Sequence, residues 1–90
     1  MTIYTWDEAK RKTNLRKHGL DFADAPEVLE DSRSYSTEDT RYHYSERRFL
    51  TVGFSQGKEV AVIYAEQQNG IRIISFRKAS RIERRVLLGA

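Results

Sequence analysis

Ninety residues, no cysteine and a formal charge of +3 confine the chain to one small domain, expected to span residues 1–90. Disulfide scaffolds, cysteine-ligated zinc and thiol nucleophiles are excluded, and no apolar run approaches the ~18 residues needed to span a membrane. With 39% hydrophobic residues, ten aromatics among them, and no visible signal peptide, the chain reads as a soluble, cytoplasmic domain rather than a disordered one.

Thr5-Trp6-Asp7-Glu8 has the form of a capping box, in which a hydroxyl and a carboxylate satisfy the free N–H groups of a helix start. Good helix formers run on through Lys17, and Gly19 supplies a left-handed stop. Lys10, Asn14, Lys17 and His18 fall at i, i+4, i+7 and i+8, which predicts one shared polar face. Asn14 is a poor mid-helix residue, which hints at a specific hydrogen bond. A second, short helix is expected from Asp24 to near Asp31. Glu27 would complete another capping box there, Pro26 sits in the first turn, where a prolyl ring is tolerated, and Val28 and Leu29 face the core.

Residues 32–45 are rich in serine, threonine and acids and read as a loop with a brief strand at 34–36. In 47–54, Leu50, Val52 and Phe54 alternate onto one face. Ser55-Gln56-Gly57-Lys58 is a turn into a second strand, 59–66, whose Val60, Val62 and Tyr64 share a face. After a turn at 67–70 comes a last strand, 71–77. Both of its faces are partly apolar, so its core side is ambiguous. Ser80-Arg81-Ile82-Glu83 is a third capping box, opening a C-terminal helix with a stripe of Ile82, Val86 and Leu87. The expected fold class is α+β: two N-terminal helices, an antiparallel sheet of three to four strands and a C-terminal helix.

The modest net charge conceals a pattern. Residues 10–20 carry +5, residues 21–46 carry −6 and residues 72–90 carry +5, and eleven of the sixteen bases are arginine. Arginine grips phosphate with a planar fork, so two basic blocks around an acidic one point to an anionic partner, with nucleic acid foremost. His18 and His43 are the only histidines and show no metal-ligand spacing with an acid, so no metal site and no cofactor are expected. No phosphate-cradling glycine loop and no nucleophile elbow appear. The remaining arginine, lysine, histidine, glutamate and tyrosine suit RNA cleavage without a metal. There the substrate's 2′-hydroxyl attacks the neighbouring phosphate, and the protein supplies proton transfer and cations. DNA lacks that hydroxyl, which selects RNA.

Several motifs in order carry a resemblance: Trp6-Asp7-Glu8-x-Lys10, Asn14-x-x-Lys17-His18-Gly19-x-x-Phe22-x-x-Ala25, Glu46-x-Arg48, Val52-Gly53, Val62-Ile63-Tyr64 and Arg72-Ile73-Ile74-Ser75-x-Arg77-Lys78-Ala79. Over almost its whole length the chain resembles the BrnT family of ribonuclease toxins from bacterial type II toxin–antitoxin pairs. The resemblance implies a fold similar to RelE-type toxins and an endoribonuclease that arrests translation. It also implies neutralisation by a BrnA-like antitoxin with a ribbon–helix–helix region, so that DNA is met only through the antitoxin complex. Two positions depart from the family pattern. Ser45 stands where a glycine is usual, and Leu87 where many relatives place a tyrosine, which leaves Tyr64 as an aromatic that could stack on a base.

Within that frame the expected catalytic set is His18, Glu46, Arg48, Arg77 and Lys78. His18 at a helix C-terminus would donate or accept a proton, or else serve as a cap. Glu46 would accept a proton and Arg48 hold the scissile phosphate, the alternative being a surface ion pair. Arg77 and Lys78 precede a helix N-terminus, whose free N–H groups already favour an anion. Lys10, Asn14, Lys17, Tyr64, Arg72 and Arg81 make up the expected RNA-contacting set. Glu83 reads as a cap only, and Trp6 and Phe22 as core. Two other readings of the same bases stay open: a nucleic-acid-binding module that does not cleave, and a protein whose basic face binds an acidic partner.

Overall fold

The computed structural model describes residues 2–40 and 45–89, so His43 lies outside the described residues. The element order is β1 (Ile3–Thr5), α1 (Glu8–His18), a 3₁₀ turn (Phe22–Asp24), α2 (Ala25–Glu30), β2 (Tyr35–Asp39), β3 (Arg48–Ser55), β4 (Lys58–Gln67), β5 (Gly70–Lys78) and α3 (Arg81–Leu88). The α+β class is as expected, but the sheet is larger than the three or four antiparallel strands read from the sequence. It has five strands in the order β1-β5-β4-β3-β2 and is mixed, because β1 runs parallel to β5 while the other neighbours are antiparallel. The N-terminal region holds a strand and a 3₁₀ turn besides its two helices.

Three residues carry too little periodicity for β1 to be legible. The strand forms because Gly70 lets the chain come close: a Cβ there would overlap the carbonyl of Ile3. Tyr4 ties the strand to α2 by donating to Glu30 at 2.6 Å. Burial, together with that carboxylate, pushes its hydroxyl up to about 12.

Because Thr5 is drawn into β1, the cap of α1 moves to Asp7, whose carboxylate accepts from the Lys10 N–H at 3.1 Å. Glu8 closes no box on Thr5; it accepts from Arg11 at 2.6 and 2.9 Å and from the Trp6 indole at 3.2 Å. Gly19 ends α1 at φ 71°, as its position predicts. The expected box at Asp24 and Glu27 is absent. Asp21 does the capping one turn earlier, accepting from the Ala23 N–H at 3.0 Å, and Glu27 accepts from the Ser55 hydroxyl at 2.9 Å. Pro26 does lie in the first turn of α2, and the Ser80–Glu83 box does open α3. The stripe on α3 is not a core face: Ile82 is 73% exposed and Val86 49%, while Glu83 and Leu87 turn partly inward.

The 3₁₀ turn and α2 bury Phe22, Ala25 and Val28 against Val60, Val62, Tyr64, Ile73 and Phe76 of the sheet. Trp6 meets Phe22 edge-on at 6.4 Å between ring centres. In a regular strand Ile73 and Phe76, three apart, would point to opposite sides. Ile63 pairs with Ser75 but Tyr64 with Ile73, so Ile74 is an extra residue and the bulge turns both Ile73 and Phe76 inward. The bulge is why both faces of this strand look half apolar in the sequence.

Past its three paired residues, β5 has no strand on its outer edge, and α1 lies there instead. Asn14 supplies the missing ladder bonds. Its Nδ2 donates to the Phe76 carbonyl at 2.7 Å, its Oδ1 accepts from the Phe76 N–H at 3.2 Å, and Nδ2 also donates to the Leu20 carbonyl at 3.0 Å. The side chain is buried, so Asn14 leaves the polar face expected for it, and tertiary bonds offset its poor helix propensity. Asn14→Ala strands the buried Phe76 N–H and C=O. The expected cost is about 3 kcal/mol, read as a lower urea midpoint at unchanged m-value; a loss below about 0.5 kcal/mol would show that water replaces the amide.

Candidate functional site

Directly opposed residues of a sheet share a face. The pairing therefore sets Arg48, Ala65 and Arg72 in one row across β3, β4 and β5; Leu50, Ile63 and Ser75 in the next; and Val52, Ala61 and Arg77 in a third. These rows alternate with Val60, Val62 and Tyr64, so they lie on the face away from α2. Three of the expected arginines thus share one side of the sheet, and the strand between them presents only Ala61, Ile63 and Ala65.

At one end of this face Glu46, two residues before β3, is in close contact with the Arg72 guanidinium, and its Oε1 lies 4.0 Å from Arg48 Nε. The side chains of Glu46, Arg48 and Arg72 are 33%, 28% and 31% exposed, open enough for a ligand to reach. At the other end Arg77 is engaged. Its Nη1 and Nη2 donate to the two carboxylate oxygens of Glu83 at 2.8 and 2.9 Å, and Glu83 Oε1 also accepts from the Ser80 N–H at 2.8 Å. The anion at the N-terminus of α3 is therefore Glu83 itself, which is a clamp on Arg77 as well as a cap.

Lys78 leaves the sheet on a different side. With His18, Gly19, Lys58 and Arg84 it lines a groove of about 440 Å³ at the C-terminal end of α1. His18 also lines a neighbouring groove of about 330 Å³ with Lys10 and Lys17. Arg72 and Lys78 are six residues apart on one strand, roughly 20 Å. The expected catalytic residues therefore do not converge: Glu46 and Arg48 gather with Arg72, Arg77 is bound to Glu83, and His18 and Lys78 lie at the far end. Arg81 is exposed at the start of α3.

Tyr64 is buried in the helix-side core. Its ring stacks on Phe49 with centres 5.8 Å apart, and its hydroxyl lies 2.9 Å from that of Thr51, which in turn is 2.7 Å from that of Ser36. In this position it cannot stack on a base. Sequence reasoning passed over Lys58 and Arg84. Lys58 reads as a turn residue and Arg84 as one helix charge among several, and only packing between elements distant in the chain brings them to one groove with His18. Among the described residues no group of three His, Asp or Glu side chains converges as a metal site, and no helix is long and apolar enough to cross a membrane.

The family model described as the ribonuclease toxin BrnT of type II toxin–antitoxin systems matches residues 6–83, from just before α1 through the Arg77–Glu83 clamp. The chain belongs to the BrnT family. Family membership brings an RNA substrate and an antitoxin partner with it at the level of the class. The matched span contains every BrnT-like motif read from the sequence and, of the residues that line the arginine cluster, the clamp and the two grooves, all but Arg84. No individually curated protein matches the chain.

The Arg77 guanidinium, helped by the Ser80 N–H and opposed by burial, holds the Glu83 carboxyl at about 2. A carboxyl depressed on folding stabilises the fold above its unfolded value near 4.5 and loses that contribution as pH falls toward about 2. Chemical denaturation across this window is expected to show a loss of the order of 1 kcal/mol in the wild type that is missing in Glu83→Gln. Identical pH profiles for the two proteins would show that the clamp contributes nothing to stability.

Proposed function

We propose that this BrnT-family chain is a metal-independent endoribonuclease that uses the 2′-hydroxyl of its RNA substrate as the nucleophile. The observation that carries the reading is the carboxylate of Glu46 held between Arg72 and Arg48, with all three side chains partly exposed. Glu46 accepts the 2′-hydroxyl proton, and the oxygen attacks phosphorus. The P–O5′ bond breaks, and the departing oxygen takes a proton from water. The products are a 2′,3′-cyclic phosphate and a 5′-hydroxyl. Charge building on the phosphate oxygens is met by two planar guanidinium groups, which reproduce the role a divalent cation has elsewhere. Lys10, Lys17 and Arg81 follow the RNA backbone. Cleavage arrests translation in the bacterial cytoplasm, and a BrnA-like ribbon–helix–helix antitoxin covers the basic face and carries the complex to DNA.

Incubating the purified protein with RNA in excess EDTA tests this. Fragments with cyclic phosphate ends are expected, with the rate falling about 100-fold or more in Arg72→Ala while circular dichroism stays unchanged. Intact RNA with salt-sensitive binding would replace the reading with a non-cleaving RNA-binding module. Cleavage abolished by EDTA and restored by a divalent cation would overturn the metal-free mechanism.

A further inference from the structure

Among the described residues the cations include two contrasting groups. Arg11 is paired with Glu8 and Asp21, Arg33 with Asp31, Arg47 with Glu38, Arg72 with Glu46 and Arg77 with Glu83. Lys58, Lys78 and Arg84 have no acidic partner among the described residues, yet three separate elements, the β3–β4 hairpin, the end of β5 and α3, bring them to one groove. Such a concentration of unpaired positive charge costs mutual repulsion, and the single acid in the groove, Glu59, does not cancel it. His18 stands where this groove meets the one lined by Lys10 and Lys17, so the free cations run on along α1.

We infer that the groove of His18, Lys58, Lys78 and Arg84 is a phosphate-binding subsite for the RNA strand, distinct from the Glu46–Arg48–Arg72 cluster. The inference rests on the RNA-directed reading above, though not on cleavage. The subsite lies roughly 20 Å from the arginine cluster along β5. That separation requires a single strand several nucleotides long to occupy both places, within the span usual for single-strand binders. Lysines predominate here, and their point charges on flexible stems hold a backbone without fixing its sequence. The groove therefore sets strand length and path, while the arginine cluster meets one phosphate in a defined geometry.

The test uses the full chain and 2′-O-methyl RNA, which binds but cannot be cleaved by its own 2′-oxygen. The wild type is expected to bind an octanucleotide about tenfold more tightly than a dinucleotide, with a strong salt dependence. Lys58→Ala/Arg84→Ala should lose that gain with length, and its log–log salt slope for the octanucleotide should fall by about 1.4. Circular dichroism and the urea midpoint establish that the double variant is folded; Lys58→Glu, at the exposed first residue of β4, provides a second variant with the same expected loss. Unchanged length dependence in both folded variants would overturn the subsite. So would retained RNA affinity with lost antitoxin binding, which would make the groove a protein-docking surface. A protein that shows the length dependence but leaves natural RNA intact would keep the subsite and remove the cleavage reading.

Discussion

The amide of Asn14 is the constraint on which the arrangement of this protein rests. A β-strand edge needs a hydrogen-bonding partner for every buried N–H and C=O. The outer edge of β5 outruns its short partner β1, and a helix backbone cannot continue a ladder because its own groups are already used. One side-chain amide solves the problem, since it carries a donor and an acceptor with the spacing of a peptide group. The same NH₂ reaches the Leu20 carbonyl, so the chain leaving α1 is fastened with the helix. Everything that α1 displays, Lys10 and Lys17 about two turns apart and His18 at the end, takes its position relative to the sheet from this contact. A substitution here would loosen the fold and blur the basic grooves together.

Charge follows a second rule. Four of the eight acids in the stretch that separates the two basic blocks are spent on arginines: Asp21 on Arg11, Asp31 on Arg33, Glu38 on Arg47 and Glu46 on Arg72. Arginine suits such fixed, forked pairs, and lysine suits a hydrated surface where the partner changes. The lysines at 10, 17, 58 and 78 accordingly keep no acid among the described residues, and the net charge of +3 is expressed through them and the outer arginines of α3. The overall figure is small, but its distribution is uneven in space as well as along the chain.

Elements announced by local chemistry were legible in the sequence: the left-handed stop at Gly19, the Ser80–Glu83 box, the β3–β4 hairpin at Gly57 and the alternation of Val60, Val62 and Tyr64. What escaped depends on contacts distant in the chain. Strand β1 exists because Gly70 accepts it, and by claiming Thr5 it moves the first helix cap to Asp7. The core side of β5 depends on a bulge that only its pairing with β4 defines. The site shows the same division. Arg48 and Arg77 were read as catalytic and Arg72 as an RNA contact, and only the register shows that all three share a face. That Arg77 is clamped by Glu83, that Tyr64 is interior and that Lys58 faces His18 are facts of packing, and no spacing along the chain encodes them.

The two classes of cation would meet an incoming phosphate differently. A phosphate reaching Arg77 must displace a bidentate carboxylate that is bonded again to the Ser80 N–H and kept charged down to a pH of about 2. One reaching Lys58 or Lys78 displaces only water and counterions, and the release of counterions itself favours binding. Initial capture of a polyanion therefore falls to the lysine groove, where nothing has to be broken. The arginine clusters are the costlier sites to enter but the more ordered ones, because their carboxylates hold the guanidinium planes in place before any ligand arrives. Order of this kind is what a reacting phosphate needs, since its transition state gains from donors that do not have to reorganise.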